Sequence, residues 1–118
     1  MAKADQSQST ENYAARVRTL NDALRTTLAG GKIMLTRGVA ALEAAVIHAI
    51  TEALQSYDDI NDDNDPYDEH DFGVLTVKGH KLFFKIDYYD LDLAFHSPDA
   101  ADPNVTTRVL TIMLADEY

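Results

Sequence analysis

The sequence predicts an α+β fold in which a three-stranded antiparallel meander packs in two layers against about three helices. Apolar residues recur at helical spacing in the first half, whereas apolar and polar residues alternate on either side of a tight turn in the second half. The 118 residues are 46% hydrophobic, enough for one core. We therefore expect a flexible tail over residues 1–9 and a single domain over residues 10–118.

The first half predicts two helices and a short strand. The first helix starts near Thr10, ends before Gly30, and has apolar residues at steps of four, three, four and four. These residues are Tyr13, Val17, Leu20, Leu24 and Leu28. Lys32 to Thr36 is apolar and flanked by glycines, which favours a short strand that could join the sheet as a fourth member. A second helix is expected from Val39 to Ser56.

The second half predicts three strands and a last helix. Gly73 to Val77 and Lys81 to Tyr89 alternate in polarity and are joined by a turn at Lys78 to His80. A third strand is expected over Leu91 to Phe95, with its apolar residues inward. Asp102 and Pro103 resemble a helix cap and first helical position, so the last helix is expected from Pro103 to about Ala115.

Charge and composition exclude several functions. The net charge is -10, which disfavours direct binding to nucleic acid or to anionic membranes. Acidic and basic residues nearly balance up to Ser56, so the excess of acidic residues lies in the second half. Without cysteine there is no disulfide or thiol chemistry, and we expect a cytoplasmic protein because no apolar run is long enough for a signal peptide or a membrane span.

Residues 58–71, DDINDDNDPYDEHD, carry eight carboxylates and no lysine or arginine. Clustered acids suggest a calcium-binding site. The first half of an EF-hand loop is matched by Asp59, Asn61, Asp63 and Asp65. The match then fails, because the sixth position lacks its glycine and the twelfth is histidine instead of glutamate.

A second interpretation of this loop is another divalent-metal site, structural or hydrolytic, with Asp65, Glu69, His70 and Asp71 as the ligands. A catalytic version would add His80 or His96. The spacing matches no established catalytic motif. We therefore expect a non-enzymatic protein with no assigned catalytic residue and no required cofactor.

The third interpretation is a docking surface. Carboxylates on one loop would complement the basic grooves that hold DNA or RNA in other proteins. The predicted partner-binding residues are the eight acids of the loop: Asp58, Asp59, Asp62, Asp63, Asp65, Asp68, Glu69 and Asp71. The plain alternative is a solvated loop anchored by Phe72. Phe83 and Tyr89, on the other sheet face, would suit either a homo-oligomer or contacts with the first helix.

Several segments resemble a family of small bacterial proteins of unknown function, mostly from alphaproteobacteria. They are GGKIMLTRGVAAL, DNDPYDEHDFG, KIDYYDLDL and SPDAADPNVTTRVLTIMLADEY, and the resemblance covers about Arg18 to Tyr118. Such proteins are often encoded on mobile elements. The resemblance implies no catalytic residue, but it favours an inhibitor of host defence, of the anti-CRISPR or anti-restriction type, over an antitoxin or another small regulatory partner.

Overall fold

The computed structural model describes the backbone of residues 2–58, 65 and 67–118, with side chains from Asn12 onward. The fold is α+β, as predicted, with three α-helices and a four-stranded sheet in this part of the chain. In chain order the elements are α1 (Ala2–Thr27), β1 (Lys32–Leu35), α2 (Arg37–Ala40), α3 (Ala44–Gln55), β2 (Phe72–Val77), β3 (His80–Tyr89), β4 (Thr107–Leu114) and a terminal 3-10 turn (Ala115–Glu117).

The strand order is β1-β4-β3-β2. The last three strands of the chain form antiparallel pairs, in agreement with the predicted antiparallel arrangement, and β1 adds a parallel edge beside β4. The short strand predicted at Lys32 to Thr36 is therefore confirmed. Its parallel pairing was not predicted, because the partner segment was expected to be a helix.

Two predicted elements are wrong. Leu91 to Phe95 is a series of turns and bends, and its apolar residues are exposed. Pro103 to Ala115 is not a helix, because Thr107 to Leu114 forms β4. This strand is buried on both faces in the middle of the sheet, so its apolar residues do not alternate and their spacing imitates a helix. Its β-branched residues agree with the extended backbone.

The helices differ from prediction in their limits. The helix expected from Val39 to Ser56 is two helices, α2 and α3, separated by residues 41–43. Helix α1 begins at Ala2, so the backbone of the predicted flexible tail is helical over residues 2–9. No helix in the described ranges is long and apolar enough to cross a membrane.

The core lies between one face of the sheet and the helices α1 and α3. The alternation predicted for β2 and β3 is confirmed, because Leu75, Leu82 and Phe84 are buried on this face. Gly73 is needed at this point, since a Cβ atom would collide with the rings of Phe84 and Tyr57. Those two rings pack edge to face, with their centroids 5.2 Å apart.

Candidate functional site

The backbone of residues 67–71 is held by the carboxylate of Asp65. Asp65 is 4% exposed, and its Oδ1 accepts hydrogen bonds from the backbone N–H of Glu69 at 2.9 Å and of His70 at 3.0 Å. Asp68 and His70 have φ values of 59° and 57°, in the left-handed region that L-residues seldom adopt. The carboxylate therefore holds a tightly turned backbone.

His70 lies between three carboxylates. Its Nδ1 is 2.8 Å from Oδ1 of Asp22 on α1, a hydrogen bond that the ring must donate because an ionised carboxylate only accepts. Its Nε2 lies 3.6 Å from Oδ2 of Asp65 and 3.7 Å from Oδ1 of Asp68. These two distances are too long for hydrogen bonds. In the neutral ring, the Nε2 lone pair thus faces two carboxylate oxygens.

Asp68 and Asp22, two of these three carboxylates, are each paired with an arginine of α1. Nη1 of Arg18 donates to Oδ2 of Asp68 at 2.6 Å and to the Asp68 carbonyl at 2.8 Å. Arg25 pairs with Asp22 at 3.4 Å while it also donates to the carbonyls of Leu54 and Tyr57. Helix α1 therefore positions Asp68 directly and His70 through Asp22.

Oδ2 of Asp65 has no hydrogen-bond partner in the part of the chain that the structure describes, although its side chain is only 2% exposed. A buried carboxylate oxygen that is stripped of water and left unpaired is unfavourable. Asp65, Asp68 and His70 each offer one ligand atom to a group in which these atoms all lie within 4.8 Å of one another. The arrangement suits the coordination of one cation.

A buried polar network lies beside this cluster. Asn21, fully buried on α1, donates to the Glu69 carbonyl at 2.9 Å and to the Tyr88 hydroxyl at 2.8 Å, and it accepts from Nε of Arg108 at 2.9 Å. The Tyr88 hydroxyl donates to the Glu69 carboxylate at 3.0 Å. Burial raises the pKa of Tyr88 and lowers that of Arg108. The network ties α1, β3 and β4 to the loop.

The predicted metal ligands are only partly brought together. Asp65 and His70 meet, but Glu69 turns to Tyr88 and Asp68 takes its place in the cluster. Asp71 lies outside the group: its carbonyl accepts from the Ile86 N–H at 2.8 Å, and burial, with the nearby Glu69 charge second, raises the pKa of its carboxyl.

The histidines of the catalytic alternative do not join the cluster either. His80 begins β3 at the hairpin turn. Nδ1 of His96 lies 3.3 Å from the Tyr88 carbonyl.

The predicted docking residues have diverse environments. Asp58 and Asp68 are exposed, Glu69 and Asp71 are half-buried, and Asp65 is buried. Asp59, Asp62 and Asp63 lie outside the described residues, as do Asn61 and Asn64 of the calcium comparison. Sequence reasoning missed Asn21 and Asp22. Asn21 did leave a signal, since it occupies the apolar stripe of α1 between Val17 and Leu24.

A second exposed feature is the Asp90 turn, residues 90–95, which follows β3. Its backbone is closed by Asp90, whose N–H donates to the Phe95 carbonyl at 2.8 Å and whose Oδ1 accepts from the Ala94 N–H at 2.9 Å. Three apolar side chains point to solvent, with exposures of 62% for Leu91, 45% for Leu93 and 77% for Phe95. The turn is thus an ordered, water-exposed apolar feature.

Acids outnumber bases in the sequence around this turn, and Lys85 pairs with Asp87 at 3.0 Å. Between Lys85 and Arg108 the sequence holds five aspartates and no lysine or arginine. Asp71 accepts from Ile86, so the loop of residues 67–71 lies beside the end of β3 from which the turn emerges. We call residues 67–71 and 90–104 together the acidic end. Arg18 is paired with Asp68, and Arg108 is buried.

The comparisons with known proteins give a family but no activity. The family model of a protein of unknown function, DUF3768, matches residues 35–117. The chain belongs to the DUF3768 family. The matched range contains Asp65, Asp68 and His70, whereas Asp22 lies before it on α1. Neither the curated proteins nor the solved structures gave a match.

Proposed function

We propose that the protein is a non-enzymatic binding protein that docks on the basic surface of a nucleic-acid-binding protein or complex. The observation that carries this proposal is the acidic end, where an ordered apolar turn is exposed among aspartates. Acidic groups steer association with a basic partner, and exposed apolar anchors supply much of the binding energy once docked. A basic groove with an apolar recess is the complementary surface.

The Asp90 turn has the properties of an anchor. The hydrogen bonds made by Asp90 fix its backbone before any partner binds, which lowers the entropy lost on association. Phe95 is the aromatic side chain of the turn and is 77% exposed. We expect it to enter the partner's recess while the aspartates face basic residues at the rim.

The class of partner follows from charge and from the resemblance described above. A net charge of -10 opposes binding to nucleic acid itself. The same charge favours binding to the basic surfaces of proteins that hold nucleic acid. The resemblance to alphaproteobacterial proteins encoded on mobile elements favours an inhibitor of host defence of the anti-CRISPR or anti-restriction type. An antitoxin would use the same surface against a different basic target.

The test is a plaque assay in cells that carry a CRISPR or restriction system, with the full chain expressed in trans. Expression should restore plaques. The purified chain should displace DNA from the sensitive complex in a mobility-shift assay, and this competition should weaken as salt is raised.

Two groups of variants locate the surface. Phe95→Ser should reduce competition at least about tenfold, the effect expected of an aromatic anchor. Asp92→Asn and Asp99→Asn combined should slow association at low salt, and less so at high salt. The matched control neutralises two exposed acids elsewhere, Glu43→Gln and Asp116→Asn. Full activity of the Phe95 and aspartate variants, or equal loss in the control, would reject the proposal.

A further inference from the structure

We propose that Asp65, Asp68 and His70 form a binding site for one divalent transition-metal ion, with Asp22 as the residue that orients His70. The inference does not depend on the docking function. It begins with Oδ2 of Asp65, which is buried, has no hydrogen-bond partner among the described residues, and lies 3.6 Å from Nε2 of His70. A cation between these atoms would give that oxygen the partner it lacks.

Each ligand has one atom held by another group and one atom left for the ion. The Oδ1 atom of Asp65 binds two backbone N–H groups, which leaves Oδ2. Oδ2 of Asp68 binds Arg18, which leaves Oδ1. Nδ1 of His70 donates to Asp22, which leaves the Nε2 lone pair. Three separate interactions thus leave one donor atom on each of three residues whose ligand atoms can lie within 4.8 Å of one another.

The spacing of the donor atoms fits a transition metal. With metal–ligand bonds of about 2.0–2.1 Å, two ligand atoms of a tetrahedral ion lie about 3.4 Å apart. The Nε2 atom of His70 lies 3.6 Å and 3.7 Å from the two carboxylate oxygens, so only small shifts are required. A carboxylate that holds the far nitrogen of a metal-binding histidine is a recurrent outer-shell arrangement, and Asp22 supplies it.

The ligand chemistry narrows the choice of ion. One imidazole nitrogen with two carboxylate oxygens suits zinc or manganese better than calcium or magnesium, which prefer oxygen ligands alone. Asp22, Asp65 and Asp68 carry three negative charges near His70, and Arg18 and Arg25 supply two positive charges. A divalent cation would therefore enter a negative environment.

The experiment is calorimetric titration of the full chain with Zn²⁺, then with Mn²⁺, Mg²⁺ and Ca²⁺. We expect one zinc ion per chain, weaker binding of Mn²⁺, and much weaker binding of Mg²⁺ and Ca²⁺. In ¹⁵N spectra of the imidazole, zinc should shift Nε2 of His70 while Nδ1 stays protonated. Absence of stoichiometric zinc binding, or calcium binding tighter than zinc binding, would overturn the inference.

Variants assign the ligands. Asp65→Asn retains an oxygen for the two N–H groups but loses the second carboxylate oxygen, and His70→Gln removes the imidazole; each should weaken zinc binding at least tenfold. Asp22→Asn should weaken it about 10- to 100-fold, as outer-shell changes do. The control is His48→Gln, which removes a histidine that is 77% exposed and lies 3.3 Å from Glu52. It should bind zinc like the parent.

Asp68→Asn tests the metal site even if a variant of a buried residue fails to fold. This side chain is 71% exposed, so the variant should fold, and it should still lose at least tenfold in zinc affinity. Unchanged affinity in Asp68→Asn, or an equal loss in His48→Gln, would contradict the site. Asp65→Asn leaves the Asp90 turn intact and Phe95→Ser leaves the metal ligands intact, so failure of the metal site and failure of docking are distinguishable.

Discussion

Asp65 and Glu117 both hold a turn by accepting backbone hydrogen bonds, but their second oxygens differ. In Glu117, Oε1 accepts from the Leu114 N–H at 2.8 Å and the Thr36 hydroxyl at 2.6 Å, and Oε2 accepts from the Gly38 N–H at 3.0 Å. In Asp65, Oδ1 makes both hydrogen bonds and Oδ2 makes none among the described residues. Glu117 is saturated by the fold, whereas Asp65 retains an oxygen that a ligand could bind.

The largest expected effect is that of removing the buried carboxylate. Asp65→Ala leaves the N–H groups of Glu69 and His70 without their acceptor, so the free energy of unfolding should fall by about 2 kcal/mol. Urea denaturation of the metal-free protein measures this. Asp58→Ala, which changes an exposed carboxylate, is the control and should differ little from the parent. A loss below about 0.5 kcal/mol in Asp65→Ala would show that the carboxylate does not hold the loop.

Amide substitutions sharpen the contrast between the two residues. Asp65→Asn should retain at least half of the stability lost in Asp65→Ala, because one amide oxygen can serve both N–H groups. Glu117→Gln should fall between the parent and Glu117→Ala, because the amide oxygen can replace Oε1 but the amide nitrogen cannot accept from the Gly38 N–H. Thermal melts of the four variants test this. Equal melting temperatures for Glu117→Gln and the parent would contradict the assigned hydrogen bonds.

The smallest expected effect is on pH dependence. Hydrogen bonds, chiefly from Thr36, lower the pKa of Glu117, so its stabilising contribution is present above its ordinary pKa and is lost as pH falls toward the folded value. Burial raises the pKa of Asp71, so ionisation above its ordinary value of 3.8 opposes folding.

Urea-denaturation midpoints measured between pH 3 and pH 7 distinguish the contributions of Glu117 and Asp71 to stability. Glu117→Gln should lower stability at pH 7 and have less effect at pH 3. Asp71→Asn should raise stability at pH 7, and that gain should vanish at pH 3. A gain for Asp71→Asn that persists unchanged at pH 3 would contradict the assigned cause.

The sequence predicted the hairpin of β2 and β3 well because its determinants are local. One face is buried and the other is not, so polarity alternates, and Lys78 and Gly79 adopt the positive φ values of a tight turn. Strand β4 was missed because both of its faces are covered, which removes the alternation. The Leu91 to Phe95 segment alternates in polarity yet forms a turn, so alternation alone did not determine its conformation.

The candidate site was predictable only in part, for a related reason. Asp65 and His70 come from one acidic segment and could be nominated from composition. Asp22 lies 48 residues from His70 in the chain, and no local pattern connects them. Glu69 was grouped with the metal ligands, but its carboxylate accepts a hydrogen bond from Tyr88, a contact that depends on the packing of Asn21 between α1 and β3.

The parallel pairing of β1 with β4 bears on how the protein folds during synthesis. Lys32 pairs with Val109, so β1 must remain without its sheet neighbour until the ribosome has made the distant β4 segment. β4 also separates β1 from β3, so the hairpin of β2 and β3 cannot substitute as a template. Closing such a long loop slows folding relative to local pairing. We therefore expect the hairpin to form early and β1 to dock last.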